Sequence, residues 1–192
     1  NKMTRRVIPV RNPWNGEYDY QITPPTEDEL RTLCTTLRHH QKDWVNLGLE
    51  KRIEIMLRWA EELEKAKAEL IEADSVDTGY CIISRLSPDI VINLIRGWCA
   101  DAPRILEEAH REGQSTVLPT MYYRSQFVPY PLLGVISAYG LMLSMLDAVP
   151  ALIAGCAVVI KPSELTPRFI QPMMETIKKI PELAAVLTYI EG

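Results

Sequence analysis

Apolar residues run without a break from Cys156 through Ile160, and the chain then turns polar at Lys161-Pro162-Ser163-Glu164. An unbroken apolar run is the pattern of a strand covered on both faces, which implies a parallel sheet. Gly134-Val135-Ile136-Ser137-Ala138 is a second short run of this kind, and residues 183–190 end in a third. Residues 141–154 and 167–180 carry helical spacing between them, with Pro150 expected at a kink or boundary. Thr166 followed by Pro167 predicts a helix start, a side-chain cap before a proline in the first turn. Strand-helix-strand-helix-strand is the order of a doubly wound parallel sheet.

The first half is patterned differently. Two alternating runs, 7–11 and 17–22, flank Asn12-Pro13-Trp14-Asn15-Gly16 and predict a hairpin. Thr26 and Glu29 have the spacing of a capping box for a helix running to about residue 45, which Gly48 ends. Ile53, Met56, Leu57, Ala60, Leu63 and Leu70 recur at helical spacing over 49–76, with Glu and Lys between them as a solvated face. Ser87-Pro88 predicts the start of a third helix ending near residue 109. From 115 to 131, Val117, Tyr122, Tyr123, Phe127 and Val128 alternate with polar residues and prolines, which predicts antiparallel strands forming an arm. The expected organisation is a hairpin and helical section over 1–114, an arm over 115–131, and the first half of a Rossmann-like sheet over 132–192. The fold class is therefore α/β.

Composition narrows the function. A chain of 192 residues with a net charge of −4 and no basic stripe does not suit a polyanionic partner such as nucleic acid. No segment reaches the roughly 18 apolar residues that span a bilayer. The basic start, Asn1-Lys2-Met3-Thr4-Arg5-Arg6, lacks a following hydrophobic signal core, so a cytoplasmic location is expected. Cys34, Cys81, Cys99 and Cys156 are widely spaced and read as reduced thiols. Cys156 lies in an apolar strand beside no base, Cys34 and Cys99 lie in helical patterns and Cys81 follows a helix end, so none is assigned as a nucleophile. His39 and His40 are adjacent and diverge on a helix, which excludes joint metal binding. Asp77-Thr78-Gly79 reads as a helix end rather than as half of a protease dyad, and no metal site is expected.

The turn after the apolar run carries the clearest chemistry. Lys161 offers a compact ammonium suited to hydroxyls or phosphate oxygens. Glu164 can accept two hydrogen bonds from vicinal hydroxyls, as on a ribose, and would repel a 2′-phosphate, which favours NAD over NADP. Taken alone, the four residues are also compatible with a plain strand-turn-helix connection carrying solvated charges.

A longer block decides between these. Pro150-Ala151-Leu152-x-Ala154-Gly155-Cys156-Ala157-Val158-Val159-x-Lys161-Pro162-Ser163-Glu164-x-Thr166-Pro167 resembles the aldehyde dehydrogenase family, as do the opening Asn12-Pro13 with Gly16-Glu17 and the helix-ending Asp77-Thr78-Gly79. The resemblance covers almost the whole chain and implies its N-terminal, cofactor-binding part. It assigns Lys161 and Glu164 to the adenosine ribose of NAD, lines the same turn with Pro162 and Ser163, and sets Ile136 and Ser137 along the cofactor. It also implies an aldehyde substrate, a homo-oligomer built through the arm, and a cysteine thiolate and glutamate base located beyond residue 192. The family's first strand ends in Pro-Trp-Asn-Phe-Pro, whereas this chain reads Ala138-Tyr139-Gly140-Leu141 and offers no asparagine there. Loss of one oxyanion donor costs roughly 10²–10³ in turnover. The expectation is an enzyme portion inactive by itself, binding NAD weakly or not at all and prone to self-association. The alternative is a non-catalytic relative acting as a binding or assembly module.

Overall fold

The computed structural model describes residues 5–79 and 81–192; the first four residues of the basic start, and the side chain of Cys81, lie outside the described ones. Strands β1 (Ile8–Arg11) and β2 (Tyr18–Ile22) form the expected antiparallel hairpin. Its turn is closed by Asn12, whose Oδ1 accepts from the Trp14 amide at 3.0 Å, and by Gly16 at φ 83°. Helix α1 (Glu27–Asn46) begins at a complete capping box: the Thr26 amide donates to Glu29 Oε2 at 2.8 Å and the Glu29 amide to Thr26 Oγ1 at 3.3 Å.

The long helix expected over 49–76 is two helices, α2 (Leu49–Lys65) and α3 (Lys67–Thr78), which meet at Ala66 (φ −90°, ψ 3°). No glycine or proline marks that break. Left-handed Gly79 ends α3. Helix α4 (Cys81–Glu108) starts six residues before Ser87 and carries Pro88 and Pro103 inside it, correcting the expected start. Short-range side-chain bonds hold the turn ahead of Pro88. Ser84 is fully buried, with its Oγ 2.9 Å from Thr78 Oγ1, and Ser87 Oγ donates to Ile83 O at 2.9 Å.

Strands β3 (Arg111–Gln114) and β4 (Tyr122–Ser125) form the antiparallel arm, which begins four residues before 115. The main sheet holds three parallel strands in the order β5 (Leu132–Ile136), β6 (Ala157–Lys161), β7 (Leu187–Tyr189). Helices α5 (Gly140–Met145) and α6 (Ala148–Ala154) connect β5 to β6, and α7 (Ile170–Lys178) and α8 (Pro181–Ala184) connect β6 to β7. The break near Pro150 falls at 146–147 instead. Pro150 is the third residue of α6, where its missing N–H leaves no bond unmade. Thr166-Pro167 opens a turn, and α7 starts at Ile170, because the Thr166 hydroxyl is engaged elsewhere.

The core lies where α2, α4 and α6 pack together and where α1, α6 and α7 pack on the sheet. Trp44, Trp59, Ile95, Leu141, Ile160 and Phe169 are buried in it. Strand β6 is buried from Ala157 through Ile160, as its unbroken apolar run requires. The end of α6 is buried too, and its carbonyls are capped from a distance. Trp44 Nε1 donates to Leu152 O at 2.8 Å, Arg52 Nε to Ile153 O at 3.0 Å, and Gln41 Nε2 to Gly155 O at 2.8 Å. Arg52 Nη1 also reaches Val45 O at 3.1 Å, so one buried guanidinium closes two helix ends. Gly155 (φ 109°) has no room for a side chain: a Cβ there would meet Pro129 and Val45 carbons at 3.2 Å.

Candidate functional site

The carboxyl ends of β5 and β6 lie side by side. Ile136 is opposite Lys161 in the parallel register, and the Ser137 amide donates to Lys161 O at 2.9 Å. The buried strand delivers Lys161 to the sheet edge, where its side chain emerges. Its Nζ lies 3.6 Å from Glu164 Oε2 and donates to Pro162 O at 3.1 Å. About a third of the Lys161 side chain and half of the Glu164 side chain remain exposed, at 32% and 52%. The Glu164 carboxyl is held below the usual carboxylate range, first by a hydrogen bond from its own backbone amide and then by the Lys161 and Arg6 charges working against burial. An exposed pair of this kind contributes under about 1 kcal/mol to stability. The fold therefore does not depend on it, and both groups stay available to a ligand.

The other expected residues take different places at the same edge. Ile136 presents its side chain to solvent at 84% exposure. Ser137 is buried, and its Oγ has no hydrogen-bond partner among the described residues. Pro162 is buried, and Ser163 Oγ accepts from the Leu165 amide at 3.2 Å, so these two shape the turn. The structure thus gathers all six residues at one sheet edge, with Lys161 and Glu164 supplying its exposed charges.

Behind this edge lies a polar layer that the hydropathy pattern conceals. Gly140 (φ 67°) starts α5 with its amide donating to Thr166 Oγ1 at 3.0 Å, and the next amide, Leu141, donates to Asp74 Oδ1 at 3.0 Å. A Cβ on Gly140 would come 3.4 Å from the same Asp74 oxygen. Burial pushes the Asp74 carboxyl above the usual carboxylate range, against the bonds from Leu141 and Ser84 that favour its charge. Asp77 is equally buried and accepts from the Arg168 amide at 2.7 Å and Arg168 Nε at 2.6 Å. Arg168 also bonds Asp19 of the hairpin and lies over the Tyr20 ring, 4.8 Å from its centroid. Asp74, Asp77 and Arg52 sit in stretches that read as solvated helix faces. Only Asp77 had a local signal, as a helix end.

Neither buried cysteine is activated. Burial raises the Cys99 thiol to about 11 and the Cys156 thiol above its usual value. Among the described residues no group of three His, Cys, Asp or Glu side chains could hold a metal ion, and no helix is long and apolar enough to cross a membrane.

The model of the aldehyde dehydrogenase family matches residues 1–192. The chain belongs to the aldehyde dehydrogenase family. Among solved structures it is similar to the "putative aldehyde dehydrogenase PutA" from Anabaena variabilis: 40% identity, TM-score 0.92, covering 97% of this chain and 40% of that one. An NAD-dependent benzaldehyde dehydrogenase from Corynebacterium glutamicum shares the fold at 24% identity and TM-score 0.85, covering 99% of this chain and 41% of that one. So does a betaine aldehyde dehydrogenase from Staphylococcus aureus in complex with NAD⁺, at 20% identity and TM-score 0.80, covering 97% and 37%. The chain spans about two fifths of the length of these aldehyde dehydrogenases.

Proposed function

We propose that this chain supplies the nucleotide-binding edge of an NAD-dependent aldehyde dehydrogenase that oxidises an aldehyde to a carboxylic acid. The observation that carries this reading is the Lys161–Glu164 pair, partly exposed and 3.6 Å apart at the carboxyl edge of parallel strands. That edge is where open α/β sheets bind nucleotides. The donor set fits a ribose: Lys161 donates to a hydroxyl oxygen, and ionised Glu164 accepts from vicinal hydroxyls. Ile136 offers an apolar shelf beside them, Ser137 brings a hydroxyl beneath the edge, and Pro162 and Ser163 hold the turn in shape. The negative charge on Glu164 disfavours a 2′-phosphate, which selects NAD over NADP. When bound, the nicotinamide accepts hydride from the substrate. The NAD complexes among the family members of this fold support the same choice.

In this reading, 1–114 is the scaffold, 115–131 an oligomerisation arm and 132–192 the nucleotide unit of a cytoplasmic homo-oligomer. Exposed apolar side chains support the arm's role: Val117, Tyr122, Phe127 and Val128 are 74–83% exposed. The test is an NMR shift titration of the chain with NAD and NADP, a readout suited to weak binding. Lys161→Ala and Glu164→Ala should each weaken NAD about 5–30-fold, the loss of one charge-assisted hydrogen bond partly screened by solvent. Glu164→Ala should also narrow the gap between NAD and NADP. Unchanged affinity in both variants removes the assignment.

A further inference from the structure

The exit of the N-terminal hairpin passes beside the nucleotide turn. Strand β2 ends at Ile22, and Thr23-Pro24-Pro25 follows. The two prolines carry no N–H, so Thr23 offers the one backbone donor of that segment. Its amide donates to Glu191 Oε2 at 2.8 Å, joining positions 168 residues apart. The sheet brings Glu191 there. Strands β6 and β7 run in parallel register through Ile160 and Tyr189, and the Ile190 amide donates to Ile160 O at 2.8 Å. Glu191 and Gly192 therefore leave β7 at the same carboxyl edge as Lys161. Gly192 meets the Lys161 stem and Pro24 together: a Cβ there would come 3.5 Å from Lys161 Cε and 3.8 Å from Pro24 Cβ.

The Lys161 stem is covered accordingly. Its side chain is 32% exposed, whereas the other glutamate-paired lysines, Lys51, Lys65, Lys178 and Lys179, are 44–64% exposed. Pairing with a carboxylate therefore does not account for the cover, and the wall formed at Gly192 and Pro24 does. A lysine already held on one path loses less rotamer freedom when it binds a ligand. We propose that Glu191 is a positioning residue of the nucleotide site: it pins the hairpin exit beside Gly192, and that wall keeps the Lys161 ammonium aimed at the ribose. The inference rests on the function proposed above. It makes the N-terminal hairpin a working part of the cofactor site. Glu191 Oε2 is given to the hairpin, so its effect reaches the nucleotide through Lys161.

The chain is titrated with NAD and followed by NMR. Glu191→Ala removes the acceptor and should weaken NAD about 2–10-fold, the cost of ordering one freed lysine side chain. Glu191→Gln keeps an oxygen for the Thr23 amide and should stay within about twofold of the wild type. In a Lys161→Ala background, Glu191→Ala should add no further loss, because the side chain it positions is gone. Without ligand, Glu191→Ala should shift the Lys161 Cε resonance, and Glu191→Gln should leave it in place. If Glu191→Ala does not fold, Glu191→Asp, one methylene too short for the Thr23 bond, enters the same cycle. Losses that add across the two sites overturn the inference, since they mean direct contact with NAD or a general structural role. So does a Glu191→Gln loss as large as that of Glu191→Ala, or an NAD affinity indifferent to Glu191→Ala while Lys161→Ala weakens it. NAD affinity indifferent to both Lys161→Ala and Glu164→Ala is a separate result, and it sinks the cofactor reading itself.

Discussion

Arg168→Met should be among the costliest single changes in this chain. The substitution keeps most of the side-chain volume and removes every donor. Asp77, whose side chain is 1% exposed, then loses its charged partner at 2.6 Å and keeps only the backbone amide at 2.7 Å. Breaking one partner out of a buried pair costs about 3–5 kcal/mol, and the retained amide bond puts this case near the lower end. The lost pairing with Asp19, which is 39% exposed, adds little. The lost stacking on Tyr20 at 4.8 Å adds about 0.5–1 kcal/mol. Summed, the expected loss is about 3–5 kcal/mol, against a total of about 5–15 kcal/mol for a typical domain.

Equilibrium urea unfolding measures it as a lower midpoint at unchanged slope. A pH series sharpens the result. Without the guanidinium, the buried Asp77 carboxyl rises further above its unfolded value, so between the unfolded and folded values the folded state binds more protons than the unfolded state. The deficit should therefore shrink as the pH falls through the variant's raised folded value. Adding Asp77→Asn, which removes the unpaired charge, should restore much of the lost stability. A single-variant cost under about 1 kcal/mol, or a double variant no more stable than the single, would refute this account of the pair.

Arg52→Met strips two good bonds from buried carbonyls, at 3.0 and 3.1 Å, and should cost about 2–4 kcal/mol in the same urea assay; a loss within error shows that water replaces the guanidinium. Asp74→Asn keeps an acceptor for the Leu141 amide and removes a carboxyl that burial has raised. The wild type loses stability as the pH rises through that raised value, and the variant should not, so its stability–pH curve above the normal carboxylate range is flatter; parallel curves would sink the assignment.

The candidate edge was legible because its physics is local. A strand buried on both faces needs an unbroken apolar run, and the residues that end the run necessarily emerge together, so Lys161 and Glu164 could be placed from the sequence. The hairpin turn and the Thr26–Glu29 box were legible for the same reason, since their bonds span only a few residues. The polar layer behind the edge was not. Arg52, Asp74 and Asp77 look like members of solvated helix faces, and their partners lie 101, 67 and 91 residues away. The break at Ala66 was missed because no glycine or proline marks it, and the helix ahead of Pro88 because Ser87-Pro88 reads as a start signal. Thr166 was read as the cap of its own helix, while its hydroxyl serves Gly140 across the sheet edge.

The three side chains that close the end of α6 have a consequence for how the molecule is made. Each of these bonds joins residues more than 100 positions apart. During synthesis the donors on Gln41, Trp44 and Arg52 leave the ribosome well before their acceptors exist. Loop closure over that distance must precede the reward, which slows the late steps. The end of α6, and with it the buried donors of α1 and α2, therefore stays unclosed until residue 155 emerges.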